Sequence, residues 1–235
     1  MSEQTPGWLL DEVAVAGREN FDPEHVSRYD GKEDGAAAEE VALLGDLGLA
    51  QDSVVIDLGA GTGQFTLAVA PRCGHVVAVD VSSVMLDRLR AKLDAAAVDN
   101  VEVEQAGFLT YRHRGEPADV IYSRLALHHL PDAWKAVALD RLRGMLRPRG
   151  LLRLVDVVYS FGPDEAFDRL ETWCASVGDD IVGGWARAEL EEHVRDEHST
   201  FTWLLEPMIR RAGFEIEDAA YSGDGIWAQY MLRAS

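Results

Sequence analysis

Four sets of residues in this chain have types and spacings suited to chemistry. The first lies in VVIDLGAGTGQFTLAVA, Val54 to Ala70, where a buried apolar run breaks into glycines and restarts as a helix. Glycines at 59, 61 and 63 let the main chain approach a ligand with no Cβ in the way. A nicotinamide fingerprint, G-x-G-x-x-G, would need its third glycine at position 64, where this chain has Gln64. Asp57, two residues ahead of the first glycine, would repel a pyrophosphate and suits a ligand carrying an ammonium group or a cationic sulfur. The second is Asp80, which ends VVAVD 23 positions after Asp57 and can accept hydrogen bonds from both hydroxyls of a ribose. The third is His128, His129 and Asp156, candidates for a base if the reaction removes a proton. The fourth is His193 and His198 in ELEEHVRDEHST; a spacing of five does not align them on one helix face, so both are expected on a solvated surface and no metal site is expected.

The elements that must position these residues alternate. VVIDL, VVAVD, VEVEQ, ADVIYS and LLRLVDVV read as strands, and the first, second and fourth are nearly all apolar, as in a parallel sheet covered by helices on both faces. Helices are expected at Ala37–Leu47, Gln64–Ala70, Ser83–Ala97 and Asp132–Leu146, with Ser82 capping the third and Pro131-Asp132 opening the fourth. After Val158 the alternation stops. Residues 162–197 read as two polar helices around SVGDDIVGG, an insertion in the regular layout, and a further helix follows from Thr200 to Arg211. FEIEDAAY and IWAQYMLRA, joined by SGDG, read as a closing hairpin whose last strand runs antiparallel. The organisation is then an N-terminal arm or lid (1–38), a cofactor-binding core (39–161), the helical insertion as a substrate lid or wall (162–197) and the final helix and hairpin (198–235). Histidines and Asp156 fall at the carboxyl edge of the sheet, where open α/β folds bind ligands. Adjacent side chains diverge, so at most one of His128 and His129 is expected to face a reaction centre.

Composition narrows the partners. A net charge of −19 argues against a large polyanion such as nucleic acid, which is held mainly by Lys and Arg. No apolar run approaches the ~18 residues of a membrane span, and the acidic N-terminus lacks the order of a secretory signal, so a cytoplasmic chain is expected. Its two cysteines, Cys73 and Cys174, fit a reduced compartment and lack metal-ligand spacing. Trp173, Trp185 and Trp203, in or beside the insertion, suggest an apolar or aromatic wall for the acceptor.

The motifs VVIDLGAGTGQF, VVAVDVSSVMLDRLR, ADVIYSRLALHHLPD and LRGMLRPRGLLRLVD, in this order from about Ser53 to Asp156, resemble those of the class I S-adenosylmethionine-dependent methyltransferases. The resemblance implies a Rossmann-like, doubly wound seven-stranded sheet with an antiparallel last strand. It implies that S-adenosylmethionine is the cofactor, with Gly59, Gly61 and Gly63 lining its methionine part and Asp57 helping to orient it. Asp80 would hold the ribose, Val81 and Met85 would flank the adenine, and Gly107, Phe108, Ser123 and Arg124 would complete the pocket. Gly107 departs from the pattern, because many relatives carry an acid there that contacts the adenine amino group; Phe108 would cover the adenine face. Tyr29, before the first core helix, matches loosely a tyrosine that reaches the cofactor. The expected reaction is transfer of the methyl group to a small molecule by in-line displacement. Two other readings fit some of these residues: a cofactor-binding scaffold or regulator without turnover, and an NAD(P)-dependent oxidoreductase, which Gln64 argues against.

Overall fold

The computed structural model describes residues 6–23, 26, 36–177 and 186–235. Five parallel strands follow from the apolar runs: β1 (Val54–Leu58), β2 (His75–Asp80), β3 (Val101–Gln105), β4 (Ala118–Arg124) and β5 (Leu146–Tyr159). A two-residue strand β6 (Thr200–Phe201) pairs with the end of β5, and β7 (Phe214–Tyr221) and β8 (Trp227–Ala234) form the closing hairpin. The order is β3-β2-β1-β4-β5-β8-β7, with β8 antiparallel to β5 from Leu151–Arg233 to Val157–Trp227. This is the doubly wound sheet that the alternation predicts.

Two boundaries differ from the expectation. Strand β5 begins at Leu146, directly after the preceding helix. Thr200 and Phe201 are strand rather than helix: pairing with β4 ends at Arg124–Val155, and β6 supplies partners further along β5, at Val158 and Tyr159.

Helices cover both faces. They are α1 (Glu12–Val15), α2 (Ala37–Asp46), α3 (Gln64–Val69), α4 (Ser83–Ala96), α5 (Asp132–Met145), α6 (Ala166–Ala175), α7 (Arg187–Asp196) and α8 (Thr202–Arg211). Ser82 caps α4, its Oγ accepting the Met85 N–H at 3.2 Å, which fixes where that helix leaves the end of β2. Leu86, Leu89 and Leu93 of α4 pack on Ala78 of β2. Arg153 on β5 is buried and donates to both carboxylate oxygens of Glu40 on α2, at 2.6 and 2.7 Å, and to Gln229 of β8. No helix among the described residues is long and apolar enough to cross a membrane.

The connections run outward from β1 to β2 and β3, then return to β4 on the other side of β1. A crevice opens at such a switch point, between the loops after β1 and β4. Here the two loops touch: a Cβ on Gly59, whose φ is +82°, would lie 2.4 Å from Cβ of Ala126. Only a glycine turn lets them meet.

Candidate active site

Two cavities open along this crevice. The larger, about 640 Å³, is walled by Asp80, Val81 and Met85 after β2, by Ala106, Gly107 and Phe108 after β3, and by Arg124 to Ala126 after β4. Residues of the N-terminal arm, Glu12, Val15, Ala16 and Asn20, close its remaining side. The second, about 520 Å³, includes Asp57, Phe65, Tyr122 and Arg124. Gly59, Gly61, Arg124 and Leu125 line both.

Asp80 organises the glycine turn as well as facing the larger cavity. Its Oδ2 accepts the Gly61 N–H and its Oδ1 the Ser82 N–H, each at 2.8 Å. Burial raises its pKa, against the two backbone donors. Gly59 and Ala60 both donate to the Val79 carbonyl, so the turn is tied to the end of β2. Gly63, with φ +83°, begins α3, and a Cβ there would lie 2.1 Å from Cδ1 of Leu89; its smallness serves helix packing, and it lines neither cavity. Asp57 is buried and accepts a 2.5 Å hydrogen bond from the Thr66 hydroxyl. Burial, opposed by that bond and assisted by the charge of Asp80, pushes its pKa up to about 7. Ser123 is buried, lines neither cavity, and its hydroxyl has no hydrogen-bond partner among the described residues. Leu125 turns the chain out of β4 with φ +52°, a conformation that non-glycine residues adopt at a cost and that recurs at ligand sites. Tyr29 and Trp185 lie outside the described residues.

Sequence reasoning placed an arm here but missed Glu12 within it. Glu12 is buried; its Oε1 accepts the Leu109 N–H and its Oε2 the Thr110 hydroxyl, both at 3.0 Å, while Thr110 in turn accepts the Gly107 N–H at 2.8 Å. A Cβ on Gly107 would lie 2.4 Å from the Glu12 carboxyl carbon. Thus an acid from position 12 stands where a side chain at 107 would project. Burial raises the Glu12 pKa, with the Leu109 and Thr110 contacts opposing it. The available signal was an acid set among apolar residues in LLDEVAVAG, with Asp11 capping α1 through bonds to Val13 and Ala14. Its partners stand about 97 residues away, beyond any local pattern.

The paired histidines diverge. His129 lines the larger cavity, and its Nδ1 is buried without a hydrogen-bond partner among the described residues. Burial and then the neighbouring His128 lower its pKa to about 3, so it is a neutral imidazole. His128 turns the other way. Its N–H and Nδ1 meet the two oxygens of Asp156, at 3.0 and 2.5 Å, and its Nε2 lies 3.0 Å from Oε2 of Glu197. Burial would lower its pKa, but the carboxylates of Asp156 and Glu197 outweigh it and raise it to about 10. Glu197 also meets Nδ1 of His193, whose Nε2 faces the Ser199 hydroxyl at 2.8 Å. The expectation of a solvated His193 therefore fails, although His198 is exposed: the effective spacing is His193 to Glu197, one helical turn, and it faces a histidine 65 positions earlier. Trp173 packs edge-on against His193 at 5.4 Å, and neither it nor the exposed Trp203 lines the two cavities.

The larger cavity suits an adenosyl ligand. It offers apolar walls from Met85 and Phe108, the Asp80 carboxylate at the end of β2 and a second carboxylate from Glu12, beside a glycine turn open to a close approach. Comparison with known proteins agrees. A family model described as "Methyltransferase domain" matches residues 55–150. An "uncharacterized methyltransferase" of Geobacillus thermodenitrificans is 30% identical over 77% of this chain and 77% of its own length. The trans-aconitate 2-methyltransferase of Methylobacterium radiotolerans is 31% identical over 70% of this chain, and the match spans 62% of that protein, less than two thirds. Among solved structures, magnesium protoporphyrin IX methyltransferase of Synechocystis, with bound S-adenosylmethionine, has the same fold, with a TM-score of 0.65 at 15% identity over 98% of this chain and all of that one. The chain belongs to the class I S-adenosylmethionine-dependent methyltransferases, and S-adenosylmethionine is its cofactor.

Proposed function

We propose that this enzyme methylates a small-molecule acceptor, a carboxylic acid, inside the cell, with the N-terminal arm (1–38) walling the site and the insertion (162–197), none of whose described residues lines the two cavities, serving as an outer lid or wall for the acceptor. The observation that carries this reading is Arg124, which has a partner of its own and yet lines both cavities, so that its positive charge stands at their junction and attracts an anionic acceptor. The name of the Methylobacterium relative, which acts on trans-aconitate, supports the same class. Asp80 would hold the ribose, Glu12 the adenine amino group in place of an acid at 107, and Val81, Met85 and Phe108 the adenine faces. Asp57 beneath the glycine turn would orient the amino-acid end.

When bound, S-adenosylmethionine supplies an electrophilic methyl group on a sulfonium, so that displacement by the acceptor leaves a neutral thioether. The protein's part is chiefly positioning and exclusion of water. A carboxylate acceptor arrives without a proton to lose and needs no base. His129 then contacts and orients the acceptor, while His128 and Asp156, turned away from the cavity, act as positioning residues for the segment that carries His129.

The test is transfer of radiolabelled methyl from S-adenosylmethionine to the small-molecule, protein and RNA fractions of a bacterial extract, followed by a panel of carboxylic acids that includes trans-aconitate. Label in the small-molecule fraction as a base-labile ester is the expected result. Label confined to protein or RNA overturns the reading. Arg124→Ala should raise KM for the acid by about tenfold or more, the loss of one charged hydrogen bond at the lower end of its range.

A further inference from the structure

We propose that His128, His193 and Glu197 form a binding site for a divalent transition-metal ion of the zinc type, at the junction of the core and α7. Three potential ligand atoms, one from each residue, all lie within 4.8 Å of one another. The three side chains are 7%, 11% and 16% exposed, so water does little to dissipate their charge. Tetrahedral zinc with bonds of about 2.0–2.1 Å places neighbouring ligand atoms roughly 3.3 Å apart. The separation of 3.0 Å between His128 Nε2 and Glu197 Oε2 is close to that span, while the same oxygen lies closer still to His193 Nδ1, so the Glu197 side chain must swing back from His193 to admit an ion.

Three further observations separate this cluster from an ordinary buried ion pair. First, Glu197 Oε2 faces both imidazoles yet has no hydrogen-bond partner of acceptable geometry among the described residues. An acceptor placed between two ring nitrogens but aligned with neither N–H is placed as an ion between them would need it. Second, each histidine has its remaining ring nitrogen engaged, His128 Nδ1 on Asp156 at 2.5 Å and His193 Nε2 on Ser199 at 2.8 Å. Such outer partners fix the tautomer and aim the free nitrogen of a metal-bound histidine. Third, the two carboxylates of Asp156 and Glu197 flank the two imidazoles, enough negative charge to offset a dication that displaces the ring proton facing it, and the nearby Lys135 already pairs with Asp132 at 3.0 Å. The donor set selects the ion. Two nitrogens and one carboxylate oxygen suit zinc and its first-row neighbours, whereas calcium and magnesium prefer all-oxygen shells. Three protein ligands leave a fourth position open to water or another ligand. Cluster and cofactor site stay separate, since His128 and Glu197 do not line the larger cavity.

The experiment is a titration of chelator-stripped, full-length protein with Zn²⁺ alone by calorimetry, and with Co²⁺ alone by visible absorption. One ion per chain is expected, with the d–d bands of a tetrahedral cobalt centre. His193→Ala and Glu197→Gln lie outside the sheet core, and thermal unfolding of the stripped variants establishes that each is folded. Each should weaken Zn²⁺ binding on the order of 100-fold or more, since even an outer-shell partner is worth roughly 10- to 100-fold. Absence of stoichiometric Zn²⁺ binding, or binding of unchanged affinity in both folded variants, overturns the proposal and leaves a buried hydrogen-bonded cluster. Neither result depends on methyl transfer.

Discussion

At the carboxyl end of β2, Asp80 takes its hydrogen bonds from main chain close by, Gly61 on the neighbouring turn and Ser82 two residues on. At the carboxyl end of β5, Asp156 takes its own from both the backbone and the ring of His128, and through that ring it is linked to Glu197 and His193 on and beside α7. Both acids sit at the same edge of one parallel sheet. One is a local device that keeps an oxygen edge beside a cavity; the other is a long-range clamp that joins the core to the helices after β5. A strand-end carboxylate thus serves ligand or fold according to whether its partners are backbone donors of the adjacent turn or a side chain from elsewhere.

The comparison breaks first at Asp156→Ala, where the largest effect is expected. Removing one partner of a buried charged pair costs about 3–5 kcal/mol, because the other group is left uncompensated. Asp80→Ala, which strands two neutral backbone donors and leaves no buried charge uncompensated, should cost about 1 kcal/mol of stability but roughly 10- to 150-fold in affinity for S-adenosylhomocysteine, the equivalent of about 1.5–3 kcal/mol. Urea unfolding of the chelated protein and calorimetric titration measure the two quantities. Similar stability losses in both variants would erase the distinction.

The same contrast explains what could be read in the sequence. Strands β1, β2 and β4 are uniformly apolar over a few residues, and the glycine turn and Asp80 are contiguous with them, so fold and cofactor cradle follow from short windows. Ser82 capping α4 is likewise a three-residue matter. Glu12, His193 and Glu197 are different. Each acquires its role from a partner 65 to 97 positions away, and the surrounding residues, an amphipathic turn or an acidic helix, read equally well as surface. Gly63 carries a second constraint of this kind: its place in the glycine run suggests a ligand, while its contact with Leu89 on the next helix is invisible without packing.

Asp57 sharpens the comparison from within the cofactor half. It is buried like Asp156 but is held by Thr66 and not by a charged partner, and its pKa stands at about 7 in place of its usual value near 3.8. The unfolded chain releases this proton near pH 4 while the folded protein keeps it. From pH 4 to 7 the unfolded state therefore binds fewer protons, and stability falls as pH rises. Asp57→Asn retains an acceptor for Thr66 and removes the titration. The variant should gain about 2.5 kcal/mol relative to wild type between pH 5 and pH 7.5. Denaturant midpoints at the two pH values read this directly, and a constant difference between the proteins would show that Asp57 is already ionised at pH 5.

The smallest expected effect tests whether an acid from the arm replaces one from the sheet. Gly107→Asp alone should fail, because the new Cβ would meet the Glu12 carboxyl at 2.4 Å and two carboxylates would compete for one place. Glu12→Ala alone strands the Leu109 N–H and the Thr110 hydroxyl and empties the position. Each single variant should weaken S-adenosylhomocysteine binding by about 1–1.5 kcal/mol, near tenfold. The double variant removes the clash and returns a carboxylate to the same corner, so its affinity should recover to within about threefold of wild type, a favourable coupling of about 1.4–3 kcal/mol between touching sites. Recovery must also restore preference for adenine over hypoxanthine, in which a carbonyl replaces the amino group and repels a carboxylate. If the losses simply add, Glu12 does no more than brace the loop after β3. If affinity recovers without the base preference, the acid shapes the cavity without reading the base. Only recovery of both makes position 12 the functional counterpart of an acid at 107.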